Sequence, residues 1–309
     1  MKIGVVGPGA IGSLYAALLS ANPGNMVWLV GRRGGESMQT LGAVARGGIS
    51  VSGETNGVYR SIHVQYDAGL VGVCDLVLLT TKAYSAREAA QYSKPMVGDD
   101  TVFLILQNGL GQEDDVAESI PREQVIRGIT MNGVLPLGPG RIIHAGRGET
   151  VIGALAEGQS MMLDKVKERF DDAGLPTRIS SDIQGDVWLK TLVNAGINPV
   201  GALYKRTNGE IYDNGEAKTL CENAVSEGAA VAKALGVKLA EDPLAKTRAV
   251  ASATYHNKNS MWMDLENARK TEIEAINGYI VREGRRVGVP TPVNEFLAGK
   301  VRTLESGLK

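Results

Sequence analysis

The chain has 309 residues, 43% of them apolar and 22% charged, and its 33 basic and 34 acidic side chains leave a net charge of −1. That balance offers no basic field for nucleic acid or an anionic membrane, and the length suits two domains of an ordinary globular protein. Cys74 and Cys221 lie far apart and read as reduced thiols of a cytoplasmic protein, while His63, His144 and His256 are too dispersed to suggest a metal.

Lys2–Gly7 is an almost wholly apolar strand of the kind buried inside a parallel sheet. It runs into Gly7, Pro8, Gly9, Ala10, Ile11 and Gly12, and then into a helix from Ser13 to Ser20. The glycines interrupt an apolar run that would otherwise resemble a secretory signal, and no run reaches the length of a membrane span. G-x-G-x-x-G is a weak signal alone in a chain with 39 glycines. Between a strand and a helix it is a dinucleotide fingerprint. Gly7 makes the turn, Gly9 lets a pyrophosphate approach the backbone, and Gly12 lets helix and strand pack, with the phosphates at the helix N-terminus.

The next strand, Met26–Val30, ends in Gly31, Arg32 and Arg33. An acidic residue here would bind the ribose hydroxyls of NAD. Arg32 instead suits a 2′-phosphate, which favours NADP(H), with Arg33 the weaker candidate. Residues 40–68 alternate in a way that predicts a structural β-excursion. Asp75–Thr81 and Thr101–Leu106 are buried strands that end in Lys82 and in Asn108 and Gly109. Ligands of open α/β sheets sit beyond the carboxyl ends of the strands, so both side chains are cofactor candidates, although Asn108 and Gly109 also read as a turn. Strands at Val125–Thr130, Arg141–His144, Thr150–Gly153 and Thr177–Ser180, with a helix from Met161 to Ala173, complete this part. The expected fold class is α/β. A Rossmann-type dinucleotide-binding domain spans 1–180 and an all-α domain 181–309, with the active site in the cleft between them.

The second half opens on Asp186–Pro199, a helix apolar nearly all round and therefore buried. Lys190, Asn194 and Asn198 recur along one side of it. Buried amides and an ammonium need partners; a lone lysine would read as part of a polar seam between helices, but three such groups in register point toward a lined ligand site. Because Asn198 precedes Pro199, the strip is expected to bend there. A turn at Asn208–Glu210 follows, then helices from Glu216 to Leu235 and from about Asp242. Ser260 is a candidate N-cap. A last long helix from Met263 to Val287 would place Glu272 on the stripe of Ile273, Ile276 and Ile280, as a partner for Lys190 or a snorkelling surface residue. Val301–Lys309 either extends that helix or frays.

Taken in order, these residues resemble the ketopantoate reductase family along nearly the whole chain. The resemblance is carried by Gly7, Gly9, Ala10, Ile11 and Gly12, then Thr81 and Lys82, then Asn108, Gly109 and Gly111. It continues through Lys190, Asn194, Asn198 and Pro199, Asn208–Glu210, Asn259–Met261, and Thr271–Ile273 with Asn277 and Gly278. It implies NADPH-dependent reduction of 2-dehydropantoate (ketopantoate) to pantoate, a step towards pantothenate and coenzyme A. Lys190 looks like the general acid and Glu272 like the glutamate that contacts cofactor and substrate. Asn194, Asn198, Asn208 and Ser260 look like substrate-binding residues, and Lys82 and Asn108 like cofactor contacts. The chain departs from the family pattern at Gly31, Arg32 and Arg33 and in a longer turn at Pro136–Gly140. Hydride reduction of a ketone leaves an oxyanion that Lys190 can protonate, while neutral Asn and Ser groups bind the acid without competing charge. The expected partner is a small 2-oxo acid; no nucleic acid or membrane is expected, and a homodimer is compatible with the sequence. The alternatives are a reductase of another 2-oxo acid, a β-hydroxyacid dehydrogenase with its own Lys-x-x-x-Asn helix, and a catalytically silent NADPH sensor.

Overall fold

The apolar strands near the N-terminus assemble as their composition dictates in the computed structural model, which describes residues 1–307. β1 (Lys2–Val6) leads into α1 (Ala10–Ser20), β2 (Met26–Val30) and α2 (Gly35–Gly47). β3 (Ile49–Gly53), β4 (Gly57–Tyr59), β5 (Ile62–Gln65) and β6 (Leu76–Leu79) follow, then α3 (Ala86–Ser93), β7 (Val102–Ile105), α4 (Gln112–Ala117) and β8 (Val125–Thr130). β9 (Gly133–Gly138), β10 (Arg141–Gly146), β11 (Thr150–Ala154), α5 (Ser160–Asp172) and β12 (Thr177–Ile179) complete the α/β unit. The main sheet runs β12-β11-β8-β7-β6-β1-β2-β5 among the described residues. It is parallel except where β11 pairs antiparallel with β8. From β1 the chain builds outward through β2 and β5, then returns to lay β6 on the other side of β1. That reversal creates a switch point at the carboxyl end of β1, where such sheets bind ligands.

Burial on both faces explains the unbroken apolar runs. Ile3, Val5, Leu76 and Leu78 pack into one core layer, and Val6, Val30, Val77 and Leu79 into the other. Each such side chain contributes about 1.5–3 kcal/mol relative to exposure. The expectation for residues 40–68 holds only in part. Residues up to Gly47 are helical, because Leu41 and Val44 alone supply a thin buried stripe for α2. β3 and β4 join β10 and β9 in a separate four-stranded sheet, whereas β5 pairs in parallel with β2.

The helical unit holds α6 (Ile183–Tyr204), α7 (Gly215–Ala234), α8 (Pro243–Ala253), α9 (Ser260–Glu266), α10 (Asn277–Val287) and α11 (Pro292–Ser306). By its contacts the chain divides into Met1–Gln107 with Gln112–Ile183, and Asn108–Gly111 with the chain from Gln184 on. Four residues between β7 and α4 thus group with the helices rather than with the sheet that they interrupt. Small residues set the helix spacing. A Cβ on Gly196 would lie 2.8 Å from Val225, and one on Gly228 2.4 Å from Leu192, so α6 and α7 approach closely.

At the point on α6 where a bend was expected, the helix does not stop but continues through Pro199 to Tyr204. Proline lacks the N–H that would bond the carbonyl four residues back. The carbonyl of Ala195 accepts instead from Nδ2 of Asn277, at 3.0 Å. Nor is Met263–Val287 one helix. The chain leaves α9 through Asn267 and Ala268, the latter at φ 51°, and re-enters helix at Asn277. Ile273, Ile276 and Ile280 are nevertheless all buried, so the apolar stripe survives while Glu272 sits in the turn. The predicted tail belongs to α11, a helix in its own right, as far as Ser306, with Gly307 as its C-cap; residues 308–309 lie outside the described residues.

Candidate active site

The fingerprint of the first unit is shaped by steric limits. Gly7 has φ 108°, and a Cβ on it would sit 2.7 Å from the backbone nitrogen of Thr81. A Cβ on Gly12 would lie 2.0 Å from the carbonyl oxygen of Gly7. Neither position tolerates a side chain. By contrast, a Cβ on Gly9 would meet nothing within 4 Å, so space is open above the turn. The helix begins earlier than expected, at Ala10, with Gly9 as its N-cap and neither a capping side chain nor an acidic residue in its first turn. Ala10 and Ile11 therefore present free helix-end N–H groups to that space, which fits a pyrophosphate. Pro8 closes the other side, against Gly31, where a Cβ would lie 2.9 Å from its ring.

Arg32 and Arg33 follow β2. The Arg32 guanidinium donates to Glu88 at 2.8 Å, and both side chains are about two-thirds exposed (65% and 67%). Such a pair is worth about 0–1 kcal/mol, so Arg32 can be recruited by a ligand at little cost. Arg33 lies over the ring of Tyr66, 5.7 Å from its centroid. At the end of β6, Lys82 is half-buried, and its carbonyl accepts from Nε2 of Gln107 at 3.0 Å.

In the helical unit, α6 is buried from Val187 to Ala202 except at Lys190 and Asn194, and Asp186 is half-exposed one turn earlier. A helix otherwise enclosed thus opens along one line of polar residues. The Lys190 ammonium donates to Oδ1 of Asn108 at 3.0 Å, and Nδ2 of Asn108 donates to Oε2 of Glu272 at 3.3 Å. One amide therefore joins the lysine to the glutamate, with its orientation fixed because its oxygen faces a donor and its nitrogen an acceptor. Glu272 is 7% exposed. The backbone around it is held by Thr271 N–H donating to Glu305 and by Leu110 N–H donating to the carbonyl of Ala275. Gly109, at φ 84°, has to be glycine, since a Cβ would lie 2.5 Å from that carbonyl oxygen.

The remaining candidates behave differently from one another. Asn198 is buried and Asn194 half-buried, and neither side chain hydrogen-bonds another described residue. Asn208 donates to Thr254 at 2.8 Å, leaving its buried Oδ1 without a hydrogen-bond partner among the described residues. Ser260 is not the N-cap. Asn259 caps α9 by accepting from Trp262 N–H at 3.0 Å, so the Ser260 hydroxyl is not spent on the helix end. Asn259, part of the resemblance, is thus a helix cap, while Gln107 and Arg127, whose guanidinium donates to the carbonyl of Gln107, were not singled out from the sequence. An arginine inside the buried strand Val125–Thr130 was the available signal for the second of them. Both cysteines are free and buried, which pushes the Cys74 thiol up to about 11 and the Cys221 thiol to about 12, away from nucleophilic use. Among the described residues, no helix is long and apolar enough to cross a membrane.

Residues 3–157 match the family model described as "Ketopantoate reductase PanE/ApbA", and residues 182–305 match its C-terminal counterpart. A 2-dehydropantoate 2-reductase of Pyrococcus horikoshii is 38% identical over 99% of this chain and 98% of its own length. The protein of that name from Vibrio cholerae is 30% identical over 99% and 98%. Among solved structures, a ketopantoate reductase family protein of Ralstonia eutropha superposes with a TM-score of 0.90 at 28% identity, covering 100% of this chain and 99% of that one. A ternary structure of D-mandelate dehydrogenase with NADH and anilino(oxo)acetate gives 0.91 at 26% identity, with the same coverage. With both halves matched by the family's models and full-length relatives at this identity, the chain belongs to the ketopantoate reductase family.

Proposed function

We propose that the protein is a cytoplasmic, NADPH-dependent reductase that converts 2-dehydropantoate to pantoate on the way to pantothenate and coenzyme A. The names of its full-length relatives support the substrate, and the NADH-bound neighbours support a nicotinamide cofactor. The single observation that carries the reading is the polar line on α6. A lysine held by Asn108 opens an otherwise buried helix, and Asn108 in turn binds a buried glutamate. A seam between helices would leave no such opening.

Gly7, Pro8, Gly9, Ala10, Ile11 and Gly12 would hold the pyrophosphate, Arg32 the 2′-phosphate, and Lys82, Asn108 and Glu272 further parts of the cofactor. The nicotinamide supplies the hydride. Lys190 delivers the proton to the ketone oxygen, so the carbonyl carbon gains a hydride and the oxygen a proton. Asn108 takes one of the three donors of the ammonium and so orients the group. Asn194, Asn198 and Ser260 bind the carboxylate and hydroxyl of the substrate, and the buried Oδ1 of Asn208 accepts from a substrate hydroxyl. Glu272 keeps the Asn108 amide and the ammonium in place. The D-mandelate dehydrogenase likeness favours one second reading, a reductase of another 2-oxo acid.

The test is turnover of the purified protein with NADPH, followed at the nicotinamide absorbance, against ketopantoate and a panel of 2-oxo and β-hydroxy acids that includes the oxo acid of mandelate. Ketopantoate is expected to give the highest kcat/KM. A higher value on another oxo acid selects the second reading, and tight NADPH binding without turnover on any acid sinks both. Arg32→Ala is expected to weaken NADPH by about 10–100-fold, as loss of a charge-assisted hydrogen bond does, with little change for NADH. Equal losses for the two cofactors, measured by fluorescence titration, would remove Arg32 from the 2′-phosphate site.

A further inference from the structure

Arg127 lies in the middle of β8, on a sheet strand buried along its whole length, and its side chain is 0% exposed. Its charge is met by Glu113 on α4, with Nε 2.8 Å from Oε1. Nη1 donates to the carbonyl of Ile105 at 3.1 Å. Nη2 donates to the carbonyl of Gln107 at 2.9 Å and to the side-chain Oε1 of Gln112 at 3.1 Å. Gln107 and Gln112 are the residues immediately before and after Asn108–Gly111, the segment that groups with the helical unit.

One guanidinium therefore holds both feet of the loop that carries Asn108. Two of the loop's four residues, Gly109 and Gly111, stand at φ 84° and 91°, and glycine has the most conformational freedom to lose, so ordering this backbone is costly. Gln107 extends the brace, because its Nε2 donates to the carbonyls of Thr81 and Lys82, both at 3.0 Å. The cost of burying an arginine is high, and a buried ion pair often contributes little net stability. A planar fork of five donors can reach two stems and a carboxylate together, which a lysine cannot.

We infer that Arg127 is a positioning residue. It fixes the feet of the 108–111 loop so that the Asn108 amide meets Lys190 and Glu272 in the orientation that aims the proton donor. The inference rests on the proposed reductase reading for its catalytic consequence, though not for its structural one.

The experiment uses full-length Arg127→Lys, alone and combined with Asn108→Ala. If the lysine variant does not fold, Arg127→Met with Glu113→Leu takes its place, because removing both charges avoids leaving one unpaired. Amide exchange across residues 108–111 is expected to accelerate by about tenfold or more while that of α6 stays unchanged, the pattern of a local rather than global opening. With ketopantoate, kcat is expected to fall by about 10–100-fold and KM by much less, as for a small displacement of a catalytic group. In the Asn108→Ala background the same substitution should cost almost nothing more. Unchanged exchange in the loop, or an equal catalytic loss in both backgrounds, would overturn the inference. Should the wild-type protein reduce no oxo acid, the reductase reading falls and the exchange measurement alone decides whether Arg127 clamps the loop.

Discussion

Lys190→Ala is expected to lower kcat by about 10²–10⁴-fold, the usual contribution of a positioned general acid, while NADPH still binds within a few-fold of wild type. The loss corresponds to about 3–5 kcal/mol of transition-state stabilisation. It should appear equally in kcat and kcat/KM, because the proton and the electrostatic help are needed only as negative charge develops on the ketone oxygen. Folding should be little affected. Lys190 is half-exposed, and Asn108 keeps its bond to Glu272 when the ammonium is gone. Lys190→Arg separates the two roles. A guanidinium keeps the charge but does not give up a proton in this range, so it should recover only a small part of the loss. Steady-state kinetics with ketopantoate and a fluorescence titration of NADPH check both variants. A Lys190→Ala enzyme with near-normal kcat would exclude the lysine as proton donor.

The line that Lys190 belongs to could be read in the sequence because two independent regularities coincide there. Apolar residues on every side of a helix mean enclosure, and polar residues every fourth position mean one exception to it. The continuous burial of β1 and β6 was legible for a related reason, since strands covered on both faces carry apolar residues without a break. The glycine turn was legible because its side-chain limits are local.

Features that depend on distant partners were not legible. α2 buries only Leu41 and Val44, too few to outweigh the β-like residues that follow. The break between α9 and α10 leaves the isoleucine spacing intact, so periodicity alone runs straight across it; Asn267, a common residue near helix ends, was the local hint. The grouping of Asn108–Gly111 with the helices depends on contacts with residues such as Ala275, far along the chain. Arg127 looked like one polar residue in a strand, and its use becomes visible only once Gln107 and Gln112 lie against it. At Pro199 a local rule is partly overridden from a distance, since the helix runs on to Tyr204 and a side chain 82 residues from Ala195 supplies the donor that the ring removes.

That override makes a stability prediction of similar size. Asn277→Leu is expected to destabilise the helical unit by about 2–5 kcal/mol, a large share of the 5–15 kcal/mol typical of a folded protein. Asn277 is 0% exposed, and its Nδ2 serves two acceptors, the carbonyl of Ala195 and Oδ1 of Asn294, both at 3.0 Å. Leucine fills much the same volume, so little of the loss is cavity. Most of it comes from two buried oxygens left without donors, at about 1–3 kcal/mol each. The Ala195 oxygen is short of a donor only because residue 199 is proline. Pro199→Ala restores the N–H and should itself be neutral or stabilising, since proline in a helix interior costs about 3 kcal/mol relative to alanine. In that background Asn277→Leu should cost less by about 1 kcal/mol or more, with the remainder due to Asn294, whose Oδ1 still lacks its donor. Urea unfolding of the four proteins measures the coupling. An equal cost of Asn277→Leu with proline or alanine at 199 would show that Asn277 does not replace the missing helical bond. The continuity of α6 beyond Asn198 would then need another cause.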